Sequence, residues 1–421
     1  MSPANQPWSI RKSNHPSGPE LGNSFIKLHE FVLKEVLDLD SFFAVTAPGL
    51  ESFTAAELRQ LGSSTIPGQL LESVGEEPGG VLFKGNLAAL YRANLHLRTA
   101  SRILARLGNF FHATTFPELQ QRLARLPWER FLTPGQPVAI RVTCHKSKLY
   151  HSDAVARSVS AALAERLGQV SPLLKADEES NQPPQLVVVR LVDDRCTVSL
   201  DSSGTLLHKR GYRQAVAKAP LRETLAAALL MASGWDLSSP LLDPFCGSGT
   251  IPIEGALMAL NIPPGIDRSF GFMDWPGYEK ALWQAILAEA PARPSEIPIL
   301  QASDRDAGAI KMAQANAQRA GVADFIEFRC QAVSSITPPP GLGWVVTNPP
   351  YGVRVSEGKD LRNLYAQFGN VLLQNCPGWN LAVLCNDRVL LGQMQVKLDT
   401  SLALVNGGLR VMVGKGRVGR K

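Results

Sequence analysis

With 421 residues, 45% of them apolar, the chain is long enough for two or three domains with real cores. Its net charge of +6 favours an anionic partner, but only modestly. No apolar run reaches the roughly 18 residues of a membrane helix, and no charged start leads into an apolar block, so neither a membrane span nor a secretory signal is expected.

Residues 1–40 read as a tail, rich in Pro, Ser, Asn and Gly up to residue 23, with a short helix over 24–39. Residues 42–51 read as a strand and a turn, and "FTAAELRQLG" as a helix stopped by Gly62. "GVLFKG" is a short strand, and "NLAALYRANLHLRTASRILARLGNF" is a long amphipathic helix or a helix followed by a strand. Residues 81–130 carry Lys84, Arg92, Arg98, Arg102, Arg106, Arg122, Arg125 and Arg130 against Glu118 and Glu129. Such a run is either a solvated face or a surface for phosphates, with Arg98 and Arg102 as RNA-contact candidates.

"PVAIRVTCHKS" alternates as a half-buried strand does. The helix "SDAVARSVSAALAERLG" is expected to be capped by Ser152 and ended by Gly168. "QLVVVRLVDDRCTVSLDSSG" predicts a hairpin turning at Asp193-Asp194, so residues 41–205 form an α+β region. Lys146 and Lys148, beside His145, Tyr150 and His151, could contact RNA or simply furnish a polar loop. From residue 220 helices and strands alternate, which predicts a mainly parallel, doubly wound sheet interrupted by a Pro- and Trp-rich insertion over 262–297. Cys144, Cys196, Cys246, Cys330, Cys376 and Cys385 form no Cys-x-x-Cys pair and have no zinc-ligand neighbourhood; reduced thiols in a cytoplasmic protein, and no metal, are expected.

"LLDPFCGSGT" places Asp243 at the end of a strand and glycines in the turn that opens the next helix. Gly247 and Gly249 let the backbone turn sharply and approach a ligand, and the N–H groups of the helix starting near Thr250 face the same place. The pattern is neither a dinucleotide fingerprint nor a phosphate-binding P-loop. An acidic strand end suits a ligand with a positive amino group, as S-adenosylmethionine has, and Asp304, closing the next strand, could accept two ribose hydroxyls.

"VVTNPPYGVR" sets an amide, two prolines and an aromatic ring just past a strand. An exocyclic base amine is a poor nucleophile because its lone pair is delocalised into the ring. The Asn348 side-chain oxygen and the Pro349 carbonyl could hold its two hydrogens and free that lone pair; Pro349 and Pro350 stiffen the turn, and Tyr351 offers a ring for stacking. Arg354 is placed to contact a phosphate or to pair on the surface. Cys246 lies in the glycine turn with nothing to activate it, so packing is its expected role.

Together with "GLESFTAAELRQLG", "ANLHLRTASRIL", "HSDAVARSVSAAL", "LHKRGYR", "APLRETLAAALLMASGW" and "FGFMDWPG", these motifs resemble the THUMP-domain RNA methyltransferases, in particular the bacterial 23S rRNA guanine-N2 methyltransferases. The resemblance covers roughly residues 41–415. It implies a Rossmann-like class I methyltransferase domain over 206–415, preceded by an α+β ferredoxin-like and THUMP RNA-binding module over 41–205, with a basic tail over 416–421. It implies cofactor binding by Asp243, Pro244, Gly247, Gly249, Thr250, Asp304 and Thr224, and base handling by Asn348, Pro349, Pro350 and Tyr351. The implied activity is methylation of guanine N2 in rRNA, within free RNA or an assembling ribosomal particle. Alternatives are guanine N2 in tRNA, adenine N6 in DNA, and a non-catalytic RNA-binding assembly factor. Two departures stand out. The family often places an Asp where Ala332 stands, so the adenine would need backbone groups or Gln331; and some relatives carry a second methyltransferase domain, so only the first activity is implied.

Overall fold

The computed structural model describes residues 40–63, 71–175, 183–213, 221–289, 294, 296–351 and 360–419. Of the expected tail over 1–40, residues 1–39 lie outside them, as does Arg354, while Asp40 begins the first strand. The N-terminal module runs β1 (Asp40–Thr46), α1 (Glu51–Ser63), β2 (Leu71–Glu77), β3 (Gly80–Gly85), α2 (Leu87–His96), β4 (Ala100–Arg106), β5 (Phe111–His112), α3 (Phe116–Ala124), β6 (Val138–His145), α4 (Ser152–Leu167), β7 (Gln185–Val192) and β8 (Arg195–Asp201). The segment left open between helix and helix-plus-strand is therefore α2 followed by β4. Asn86 caps α2 through its side chain, and Gly168 ends α4 in the left-handed region. The expected Ser152 cap is corrected by one residue: Ser152 is already helical, and His151 precedes it without a side-chain cap bond. Asp193 and Asp194 turn the β7–β8 hairpin with φ of 51° and 62°, a conformation that short polar side chains tolerate.

These strands form one sheet in the order β2-β3-β1-β4-β8-β7-β6, with β5 on β8. The join is the antiparallel pairing of β4 with β8, which fuses the first four strands to the rest without a break.

The second half runs α5 (Glu223–Ser233), β9 (Leu241–Asp243), α6 (Thr250–Ala259), α7 (Lys280–Ala288), β10 (Leu300–Asp304), α8 (Ala307–Arg319), β11 (Ile326–Cys330), β12 (Trp344–Thr347), α9 (Arg362–Asn375), β13 (Asn380–Cys385), α10 (Arg388–Gln393), β14 (Leu398–Asn406) and β15 (Leu409–Arg417). Its sheet has the order β11-β10-β9-β12-β13-β15-β14. β9 through β13 pair in parallel, and β15 runs antiparallel between β13 and β14. The strand order reverses between β9 and β12, and ligands of open α/β sheets sit at the carboxyl ends of strands at such a point. Part of the expected basic tail belongs to the sheet, since β15 extends to Arg417.

The insertion after α6 leaves its own sheet and completes the core of the other. Phe270, Phe272, Trp275, Trp283 and Ile286 are buried with the apolar residues of the N-terminal module. Tyr91 stacks on Phe272 with ring centroids 4.3 Å apart, and Phe131 meets Trp275 edge-on at 4.8 Å. Trp275 Nε1 donates to Gln185 at 2.8 Å, and Arg92 pairs with Glu289. Among the described residues no helix is long and apolar enough to cross a membrane.

Candidate active site

Asp243, Asp304 and Thr347 close three neighbouring strands, β9, β10 and β12. The register of the parallel pairing, not sequence distance, brings the glycine turn and the Asn-Pro-Pro-Tyr turn together.

Asp243 is buried. Its Oδ1 accepts from Thr347 Oγ1 at 2.6 Å and from the Phe245 N–H at 3.2 Å, while Oδ2 is buried with no partner among the described residues. Burial pushes its pKa up to about 7, and the charge of Asp304 adds to the rise against those two hydrogen bonds. The bound Thr347 was not singled out from the sequence; a hydroxyl ending an apolar strand was its one signal.

Asp304 accepts from the Gly247 N–H at 3.0 Å and from the Asp306 N–H at 3.0 Å. A carboxylate has about four acceptor positions, so room remains for hydroxyl donors. Gly247 and Gly249 adopt φ of 51° and 85°. A Cβ added at Gly247 would meet nothing within 4 Å, so the turn opens onto free space, whereas one at Gly249 would press on Ala313 at 3.0 Å. No side chain caps α6, which leaves its first N–H groups facing that space. An open cradle, an orphan buried carboxylate oxygen and an uncapped helix start fit a ligand carrying a cation and hydroxyls, as expected of S-adenosylmethionine.

Thr250 and Thr224 are buried, and Pro244 with them. The Thr250 hydroxyl already accepts from Arg213 at 2.6 Å. Arg213 also faces Glu223 at 3.3 Å, and the Tyr212 hydroxyl donates to Glu254 at 3.2 Å, so the "KRGYR" segment braces the glycine turn from behind. Asn316 on α8 donates to the Ser248 carbonyl at 3.0 Å. Cys246 is buried, and burial holds its thiol pKa well above the ordinary value, in keeping with packing.

In the second turn Asn348 Oδ1 is buried and unpartnered among the described residues. Pro349 is buried, and the Pro350 carbonyl accepts from Tyr365 Oη at 3.2 Å. Tyr351 differs from an open stacking platform: it is only 9% exposed, because its ring packs into the core of the second half and its hydroxyl accepts from Asn406. Ala332 begins the turn after β11, and beside it Gln331 Nε2 is a buried donor without a partner among the described residues.

The RNA candidates divide. Arg98 and Arg102 turn inward, which corrects the expectation that they face RNA. Arg98 donates to the carbonyls of Leu257 and Ile262, the latter at 2.7 Å, and Arg102 pairs with buried Asp201. Arg102 is thus compensated by an opposite charge and Arg98 by carbonyl oxygens, with Arg98 Nη1 buried and without a partner among the described residues. Lys146 and Lys148 are exposed beside Tyr150 and His151, whose rings lie 4.0 Å apart. Across the same end of the sheet Arg195 stacks over half-exposed Phe110 at 3.8 Å.

Three family descriptions match in order: the RlmL ferredoxin-like domain over residues 41–104, the THUMP domain over 113–201, and the RMKL-like methyltransferase domain over 210–412. Protein slr0064 of Synechocystis sp., which carries an RNA methyltransferase name, is 35% identical over 87% of this chain and 94% of its own. The ribosomal RNA large subunit methyltransferase K/L of Methylococcus capsulatus is 36% identical over 87% of this chain and 50% of its own, so the chain spans about half the length of that relative. SMU.472, assigned as a methyltransferase and solved with SAH, superposes with a TM-score of 0.79 at 31% identity, covering 91% of this chain and 99% of that one. A Listeria monocytogenes chain named for N6-adenine-specific DNA methylation gives 0.77 at 32% identity, covering 91% and 97%. With all three parts in order and near-complete coverage of slr0064 and SMU.472, the chain belongs to the THUMP-domain RNA methyltransferases of the RMKL-like group.

Proposed function

We propose that the protein methylates the exocyclic N2 amine of a guanine in RNA, with rRNA of the large subunit as substrate and S-adenosylmethionine as methyl donor. The observation that carries this is the buried Asn348 Oδ1 just past the end of β12, the strand beside β9, whose end holds the buried Asp243 Oδ2; neither oxygen has a partner among the described residues. When bound, S-adenosylmethionine supplies an electrophilic sulfonium methyl group. A similar chain solved with SAH supports that choice of donor, and the K/L relatives support rRNA.

Asp243 Oδ2 would hold the donor's ammonium group, Asp304 its ribose hydroxyls, and the Gly247 turn its backbone-facing side. Asn348 Oδ1 and the Pro349 carbonyl accept the two amine hydrogens and direct the nitrogen lone pair out of the ring plane. The Pro350 carbonyl is already engaged by Tyr365 and does not compete for those hydrogens. Positioning supplies the rate, since no strong base is required: the amine becomes far more acidic once methylated and loses its proton to water. The exposed Lys146, Lys148, Tyr150 and His151 would grip RNA phosphates and bases, and Arg354 is assigned a phosphate contact from its sequence alone.

Expression in cells lacking their own guanine-N2 rRNA enzymes, followed by mapping of N2-methylguanosine in rRNA and tRNA, tests this. A new mark in large-subunit rRNA is expected. A mark in tRNA alone would move the substrate, N6-methyladenine in DNA would replace base and substrate together, and no mark would overturn the reading.

A further inference from the structure

We propose that Asn406, on the hairpin at the far edge of the second sheet, is a positioning residue that fixes the buried Tyr351 ring and with it the end of the Asn-Pro-Pro-Tyr turn. This rests on the reading of Asn348 to Tyr351 as the base-handling turn. The β14–β15 hairpin reverses at Gly407-Gly408, with φ of 56° and 85°, and pairs Asn406 with Leu409. Such a two-residue turn needs positive φ at both positions, which glycine supplies without strain. The tight reversal ends β14 with the half-buried Asn406 side chain beside the Asn-Pro-Pro-Tyr turn, where Nδ2 donates to Tyr351 Oη at 3.0 Å.

The turn is thereby tethered from three directions. Thr347 ties its start to Asp243, Tyr365 ties the Pro350 carbonyl, and Asn406 ties the tip of the aromatic ring. A bond to the hydroxyl fixes the long axis of the ring, which packing at the Cβ end alone does not. Burial raises the phenol pKa, so the hydroxyl stays protonated and retains a proton of its own to donate. Asn406 differs from the other two tethers in its setting. β14 is also where the N-terminal module lands: a Cβ at Gly49 would lie 2.4 Å from the Ala403 carbonyl and 3.0 Å from Leu404 Cδ2. The strand that receives the N-terminal module thus ends in the side chain that holds Tyr351.

The test uses the purified full chain, its RNA substrate and radiolabelled S-adenosylmethionine. Asn406→Ala is expected to lower kcat about tenfold, with KM for RNA and Kd for SAH within about twofold of wild type, as a lost orientation would. Tyr351→Phe removes the same bond, so the double variant should be no slower than the slower single one. Asn406→Asp can accept the phenol proton and keep the bond with reversed polarity, and should recover most of the rate. A kcat within about twofold of wild type for Asn406→Ala, or losses that multiply in the double variant, would overturn the proposal. Parallel falls in melting temperature, SAH affinity and rate would do so too, by making Asn406 a general support of the fold. A wild-type protein that methylates no RNA would sink the function and this inference together; an active wild type matched by Asn406→Ala would sink the inference alone.

Discussion

Both the cleft at the ends of β9, β10 and β12 and the seam between the two sheets bury polar groups, and they treat them differently. At the seam the buried arginines face a carboxylate or a carbonyl, although Glu254 Oε2 has no hydrogen-bond partner among the described residues. Arg102 meets Asp201, Arg92 meets Glu289, Arg210 Nε lies 3.6 Å from Glu254, and Arg98 reaches two carbonyls near the end of α6. At the cleft Asp243 Oδ2 and Asn348 Oδ1 are buried acceptors with no donor among the described residues, and neither lies against an arginine. An unmet buried acceptor costs about 1–3 kcal/mol, so the cleft is held in a state that a ligand with donors relieves. The seam serves the fold and the cleft serves the ligand, although both draw on the same residue types.

Breaking the seam should give the largest effect. Arg102→Met leaves the Asp201 carboxylate buried and uncompensated, and burial already pushes that carboxyl pKa upward. A loss of about 3–5 kcal/mol is expected in denaturant unfolding, and Asp201→Leu added to Arg102→Met should restore most of it. Breaking the cleft should act on rate with no loss of stability. Asn348→Ala removes an acceptor that has no partner among the described residues, so kcat should fall by about 10²–10³ while unfolding free energy stays level or rises. A destabilised Asn348→Ala would erase the distinction between the two regions.

Protonation sharpens the comparison further. The folded pKa of Asp243 is raised to about 7 against an ordinary 3.8. The native state therefore keeps a proton that the unfolded chain has released, and this contribution to stability is complete below about pH 3.8 and lost as pH rises through about 7. A cationic ligand needs the ionised form. SAH affinity, read by calorimetry, should thus strengthen by about tenfold between pH 6 and pH 8. Asp243→Asn should flatten that dependence and weaken binding at pH 8.

Much of the cleft was legible in the sequence because it is local: a strand, a turn of fixed spacing and a helix carry Asp243 to Thr250, and a second strand and turn carry Asn348 to Tyr351. Its remaining members come from pairing between distant segments. Asn406 reaches Tyr351 through a hairpin 55 residues away, and the Tyr351 ring is buried by contacts that no local pattern encodes. The seam was misread for the same reason. A run of arginines looks alike whether it faces water or Asp201, and the partner of Arg102 lies 99 residues downstream. The insertion over 262–297 showed its unusual composition but not its destination in the core of the other module.

The smallest expected effect tests where RNA contact begins. Lys146 and Lys148 are exposed and Arg98 and Arg102 are internal. A cation on a phosphate releases counterions, so each contact contributes about −0.7 to the slope of log affinity against log salt for single-stranded RNA. Lys146→Ala with Lys148→Ala should reduce the magnitude of that slope by about 1.4. The melting temperature should not change, because neither side chain packs. Arg98→Gln should leave the slope alone and lower the melting temperature, because its bonds run to the carbonyls of Leu257 and Ile262 and to no phosphate. If the buried variant moved the slope and the exposed pair did not, the seam would have to open when RNA binds, and the two regions would no longer be separate in function.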